Sequence, residues 1–147
     1  MGVVLAFRPK PAPAGELDEL IAWLKPAADW RTGRMQIELA FHFRMTADFR
    51  RILATDAHGR ESPEALAEHE LADKAFKAWR IECLKQIFIP ARCVRHLRWK
   101  QEWLRKNGGG CPETALAIAR DETTFAGRVA LHSRQQATRK ANREARS

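Results

Sequence analysis

The chain has 147 residues, 45% of them hydrophobic, with 26 Lys/Arg, 18 Asp/Glu and a formal net charge of +8. It is long enough to bury a core, it contains no run near the ~20 apolar residues of a membrane-spanning helix, and its three scattered cysteines do not make a disulfide framework. The surplus charge is lopsided: residues 1–89 carry 13 Lys/Arg against 13 Asp/Glu, and residues 90–147 carry 13 against 5.

In chain order, Val3–Phe7 is a short apolar run with no preceding positive region, so no signal peptide is expected, and Ala6 stands where a myristoylation signal needs Ser or Thr. Pro9, Pro11 and Pro13 alternate with other residues, which keeps 1–15 an extended, frayed arm. Leu17, Leu20, Ile21 and Leu24 then recur at helical spacing. They predict a first helix over Glu16–Lys25, with acids in its first turn and Pro26 as its stop.

The stretch from Met35 to Ala54 fits two patterns. Ile37, Leu39, Phe41, Phe43 and Met45 alternate as in a short strand over 37–45. Ile37, Phe41, Met45, Phe49 and Ile52 or Leu53 also form a helical stripe, and the segment lacks Gly and Pro. A helix is the preferred reading and the strand its alternative, in which 37–45 would pair with Val3–Phe7.

Ser62-Pro63-Glu64 is a strong helix start, with Ser as N-cap and Pro at the first helical position. That helix should run to about Phe88, with Ala72, Phe76, Trp79, Cys83 and Ile87 as its buried stripe and Glu64, Glu68, Glu70 and Asp73 making its first half acidic. Pro90 breaks it, and a basic helix to Lys106 follows. Asn107–Gly110 forms a cap and turn, and a last helix starts at Pro112 with Ile118, Phe125 and Val129 on one face. No large apolar residue follows Leu131, so 132–147 is expected to be a basic, mobile tail. The expected fold is therefore mostly α: a single domain of four to five helices over 16–131, between an extended N-terminal arm and a basic C-terminal tail.

The residues expected to bind lie in the basic half. Arg92, Arg95, Arg98, Lys100, Arg105 and Lys106 face one acid, Glu102, in the 90–106 helix, with Trp99 and Trp103 one turn apart among them. Guanidinium and ammonium groups suit phosphates, and flat rings suit exposed bases. Arg134, Arg139, Lys140, Arg143 and Arg146 against Glu144 make the tail a sequence-independent phosphate contact. Buried tryptophans and a solvated basic face are the competing structural explanation.

Other motifs carry less. A helix-turn-helix within 113–132 lacks the glycine its turn needs, at Thr123. Cys83, Cys93, His96 and Cys111 are zinc-type donors, but without a paired Cys-x-x-Cys, packing is the better reading for Cys83. His69-Glu70-Leu71-Ala72-Asp73 imitates a zinc-protease helix with Asp in place of the second His, and Gly108–Gly110 lacks the Lys-Ser/Thr of a phosphate loop. No nucleophile elbow or spaced acid pair appears, so the chain reads as no enzyme, with no cofactor and no metal.

These residues lead to a cytoplasmic, non-catalytic nucleic-acid-binding protein, with DNA favoured over RNA, no membrane partner and a homodimer left open. The alternative is a protein-interaction module, adaptor or inhibitor, whose basic face docks on an acidic surface of a larger nucleic-acid-handling machine. Solvent-facing Trp99 and Trp103 would favour nucleic acid. An exposed apolar patch on Met35–Leu53 would favour a protein partner.

Overall fold

A computed structural model describes residues 14–108 and 111–146. The described residues form five α-helices and no strand: α1 (Ala14–Leu24), α2 (Trp30–His58), α3 (Pro63–Ile87), α4 (Val94–Asn107) and α5 (Pro112–Ala145). The chain divides into two compact units, Asp18–Ile89 and Pro90–Ser147 joined by the chain up to Leu17. The arm expected over 1–15 lies outside the described residues as far as Pro13, and Ala14 and Gly15 already belong to α1.

The first helix ends one residue before its expected limit. Lys25 takes φ 50°, out of the right-handed helical region that a following proline disfavours. At the start of α2 the Asp29 carboxylate accepts hydrogen bonds from the Thr32 N–H (2.7 Å) and the Thr32 hydroxyl (3.0 Å). These bonds favour the ionised form and hold the Asp29 carboxyl below its ordinary value. From this cap α2 runs unbroken for 29 residues, about 43 Å. The strand alternative over 37–45 is therefore corrected to helix. The alternation arises because α2 is apolar on several sides, so residues two apart can both be hydrophobic without a pleat. Gly59 ends α2 at φ 89°, a backbone angle that L side chains rarely adopt, and its N–H donates to the Thr55 carbonyl (2.9 Å). Ser62 then caps α3 as expected, its Oγ accepting from the Ala65 N–H (3.1 Å), with Pro63 leading the helix.

Helices α2 and α3 make an antiparallel hairpin. Three pairings set its register: Trp30 with Gln86, whose Nε2 donates to the Trp30 carbonyl (3.0 Å), Phe41 with Trp79 (6.4 Å between rings) and Arg50 with Glu68 (2.9 Å). On α2 the facing seam is Gly33, Ile37, Ala40, Arg44, Ala47, Arg51 and Ala54, each buried or half-buried and spaced alternately four and three. Ala65, Ala72, Ala75 and Cys83 answer from α3. Small side chains allow this close approach. At Gly33 a Cβ would lie 1.9 Å from Gln86 Oε1 and 2.8 Å from the Ile89 side chain. Arg44 is tolerated on the seam because its guanidinium stacks 4.4 Å from the Trp79 ring centre and 4.7 Å from that of Phe76.

Two apolar stripes need correction. On α3, Ala72, Cys83 and Ile87 are buried as expected, but Trp79 is half-buried and Phe76 exposed. On α2 only Ile37 of the expected helical stripe is buried; Phe41, Met45, Phe49 and Ile52 are exposed. The small residues of α2 face α3, and most of the large ones do not.

Pro90–Cys93 is not helical, and α4 begins at Val94, later than expected. After Pro112 the last helix continues past Leu131 to Ala145, with every residue of 131–146 exposed. Propensity accounts for this. Extending an existing helix avoids the cost of nucleation, and Ala137, Ala141, Ala145 and the long polar side chains between them are strong helix formers.

Candidate nucleic-acid interface

Helices α4 and α5 pack against each other and are tied by a buried ion pair, and Trp103 of α4 and Ala117 and Ile118 of α5 are buried. Lys100 is 1% exposed, and its Nζ lies 2.5 Å from Asp121 Oδ2. The other carboxylate oxygen of Asp121 accepts the Ala91 N–H (3.1 Å). One carboxylate thus ties α5 to both α4 and the connector before it. Burial penalises the ammonium form and holds Lys100 below the usual lysine value, while Asp121 opposes that shift. Lys100 is therefore removed from the set of phosphate-binding cations: it is a structural charge, enclosed and paired.

The remaining cations of this region divide into two sets. Arg95, Arg98 and Arg105, spaced three and seven apart, share the exposed side of α4 and line an open groove with Trp99, Gln101 and Glu102. Arg105 bonds Glu102 through Nε (3.1 Å) and Nη2 (2.5 Å), and Lys106 approaches the same carboxylate at 3.4 Å. The Arg105 bond is the main reason the Glu102 carboxyl is held below its ordinary value. Arg95 and Arg98 carry no acidic partner among the described residues. Arg92, expected on the helix, lies in the connector instead. It is exposed, and its carbonyl accepts from Arg128 Nη1 (3.4 Å).

His96 lies under this face. Its Nδ1 accepts the Arg92 N–H (3.2 Å), which requires a ring unprotonated at that nitrogen. Partial burial, then the charges of Arg95, Lys100 and Arg92, lower its pKa.

The tryptophans separate. Trp103 is buried (7% exposed), and Trp99 is half-buried at the rim of the Arg95–Arg105 groove. Trp103 is thus corrected from a stacking ring to a core ring. The five tail cations, Arg134, Arg139, Lys140, Arg143 and Arg146, are all exposed along the end of α5. His132, Gln135, Arg139, Asn142, Arg143 and Arg146 follow one another at helical spacing on one side, with Ala137, Ala141 and Ala145 on the other. Sequence reasoning missed this two-sidedness. It also missed Asp121, although an acid three residues after Ile118 and four before Phe125, on an expected apolar face, was a signal for a buried partner.

The lesser motifs do not assemble. Continuous helix over Pro112–Ala145 leaves no turn for a helix-turn-helix within 113–132. Cys83 is buried on the α3 seam, Cys93 is exposed and Cys111 is half-buried; no three His, Cys, Asp or Glu side chains cluster as metal ligands among the described residues. His69 and Asp73 border a groove with Asp48, Arg51 and Phe76. No helix among the described residues is long and apolar enough to cross a membrane. Comparison of the chain with protein-family models, with curated proteins and with solved structures returns no match.

Proposed function

We propose that this chain is a non-catalytic nucleic-acid-binding protein that grips duplex DNA with the exposed side of α4 and the C-terminal half of α5. The observation that carries this reading is the end of α5: five exposed cations against one acid on a helix with no large apolar side chain after Leu131. Cations so arranged neutralise phosphates and release the counterions condensed on them. The helix form favours DNA over RNA. A single α-helix fits the major groove of B-DNA, whereas the major groove of A-form RNA is too narrow to admit one. Gln135, Arg139 and Asn142 have the donors and acceptors that read adenine and guanine edges in that groove.

A titration of the full chain with duplex DNA, single strands and RNA at two salt concentrations tests this reading. Duplex DNA should bind tightest, and log K should fall linearly with log salt, by about 0.9 for each phosphate neutralised. Changing Arg134, Arg139, Lys140, Arg143 and Arg146 to Gln should flatten that slope. An unchanged slope and affinity would remove the α5 end from the interface.

The second reading, a protein-interaction module with its basic face on an acidic surface, is favoured by a separate observation. Met35–Leu53 exposes large apolar side chains while Trp103 is buried. Under that reading no nucleic acid binds in the titration, and an acidic protein partner does.

A further inference from the structure

Helix α2 carries two heptad seams, and only one is filled. The seam from Gly33 to Ala54 faces α3. On the opposite side Met35, Leu39, His42, Thr46, Phe49 and Leu53 repeat the same four-three spacing, and all six are exposed. Phe43, Met45 and Ile52 flank that second seam and are exposed too. Eight large apolar side chains of α2 stand 45–62% exposed. A helix with apolar stripes on two sides needs a cover for both.

We infer that a second copy of this chain covers the exposed seam, with the two α2 helices antiparallel about a two-fold axis near Thr46. Three features select this occupant. The first is area. At roughly 150–200 Å² for a large apolar side chain, the seven on this side of α2, about half exposed (Phe41 packs toward Trp79 of α3 instead), offer some 500–800 Å², near the ~800 Å² per partner of a stable interface. The second is self-complementarity. In this register Leu39 meets Leu53 of the second copy, His42 meets Phe49, and Thr46 meets Thr46, as an isologous contact requires. Arg31 at one end of α2 lies about 7.5 Å along the paired axes from Asp56 of its mate, so opposite charges approach each other at both ends. The third is net charge. Residues 18–89 hold 11 Lys/Arg against 12 Asp/Glu, a net of −1, so two copies of this unit meet without mutual repulsion. The same near-neutrality gives an anionic lipid surface nothing to attract.

The test uses the full chain. Sedimentation equilibrium at tens of micromolar should return twice the 16.8 kDa chain mass, and a mass of one chain overturns the inference. The Leu39→Glu, Phe49→Glu double variant should keep its helical circular dichroism, because both side chains are more than half exposed, and should bind its like at least 100-fold more weakly. A dimer as tight as the parent's overturns the seam assignment. Register is read by single cysteines in a Cys93→Ser, Cys111→Ser background, with buried Cys83 left in place. Thr46→Cys should be joined to its counterpart by a short bis-maleimide, whereas Glu38→Cys, displaced by about 24 Å along the paired axes, should not. Equal linking at both positions overturns the antiparallel register. These measurements involve no nucleic acid, so their outcome is independent of the function proposed above.

Discussion

At Asp121 a single carboxylate does three things: it neutralises Lys100, caps the Ala91 N–H and fixes where α4 lies on α5. Asp121→Ala leaves Lys100 enclosed without its Asp121 carboxylate, which costs about 3–5 kcal/mol. Replacing both members, as Lys100→Met with Asp121→Leu, should recover most of that loss, because no buried charge remains. Urea unfolding of the two variants measures the difference, and a single-variant loss below about 1 kcal/mol would show the pair to be solvated. His96 gives a pH dependence of opposite origin. Its folded pKa lies below the ordinary 6.5 because of partial burial and neighbouring cations. The unfolded chain therefore binds the proton more readily, and stability must rise with pH across that interval. The contribution is complete above about pH 6.5 and fades as pH falls through the lowered folded value. Melting temperatures at pH 7.5 and 5.5 should fall less between those pH values for His96→Asn than for the parent; an identical fall in both would remove His96 as the cause.

Among the elements, α2 and α5 share one property, exposure along a whole side, and differ in its chemistry. The exposed side of α2 is apolar and asks to be covered. The end of α5 carries Gln135, Arg139, Asn142, Arg143 and Arg146 on one side, and Ala137, Ala141 and Ala145 with Arg134 on the other, and the first side suits a groove of phosphates and base edges. On the proposed reading, the charged residues of α5 set affinity and the amides set discrimination. Gln135→Ala with Asn142→Ala should thus leave the salt slope unchanged while narrowing the spread of affinities across duplex sequences. A selection from randomised duplexes, read for parent and variant, checks this. Identical sequence preferences in both would make the α5 end a phosphate clamp alone.

For the whole molecule, the notable feature is that charge and apolar surface are kept apart along the chain. Residues 90–147 hold 13 Lys/Arg against 5 Asp/Glu, while 18–89 are almost neutral and carry most of the large exposed apolar side chains. The two proposed interactions should therefore respond oppositely to salt. Raising sodium chloride from 0.05 to 0.5 M should release nucleic acid, because phosphate contacts are screened and counterion release loses its advantage. Self-association through α2 should persist or strengthen, since apolar burial is not screened. Sedimentation with labelled duplex at the two salt concentrations follows both at once, and dissociation of the protein dimer at high salt would assign its interface to charge instead.

Much of the helical layout was legible in the residues themselves, because local chemistry decides it: Ser62-Pro63 starts α3, Pro26 follows the end of α1, and Pro112 opens α5. The charge asymmetry and the exposed Arg95, Arg98, Arg134 and Arg139 were legible for the same reason, since long charged side chains without partners stay in water. Three other features depended on which sides of the helices meet. The period of α2 could not choose between Ile37–Met45 as strand and as helix, nor between its small and large residues as the inner seam; the antiparallel fit against Ala65, Ala72 and Cys83 chose the small ones, because only they allow the close approach seen at Gly33. Lys100 looked like one more surface cation until Asp121, 21 residues away, enclosed it. Trp103 looked equivalent to Trp99 until the fold buried one and left the other at a rim. Composition and caps are properties of neighbours in sequence, and burial is a property of neighbours in space, so the first set was decided by the sequence alone and the second only when α2 met α3 and α4 met α5.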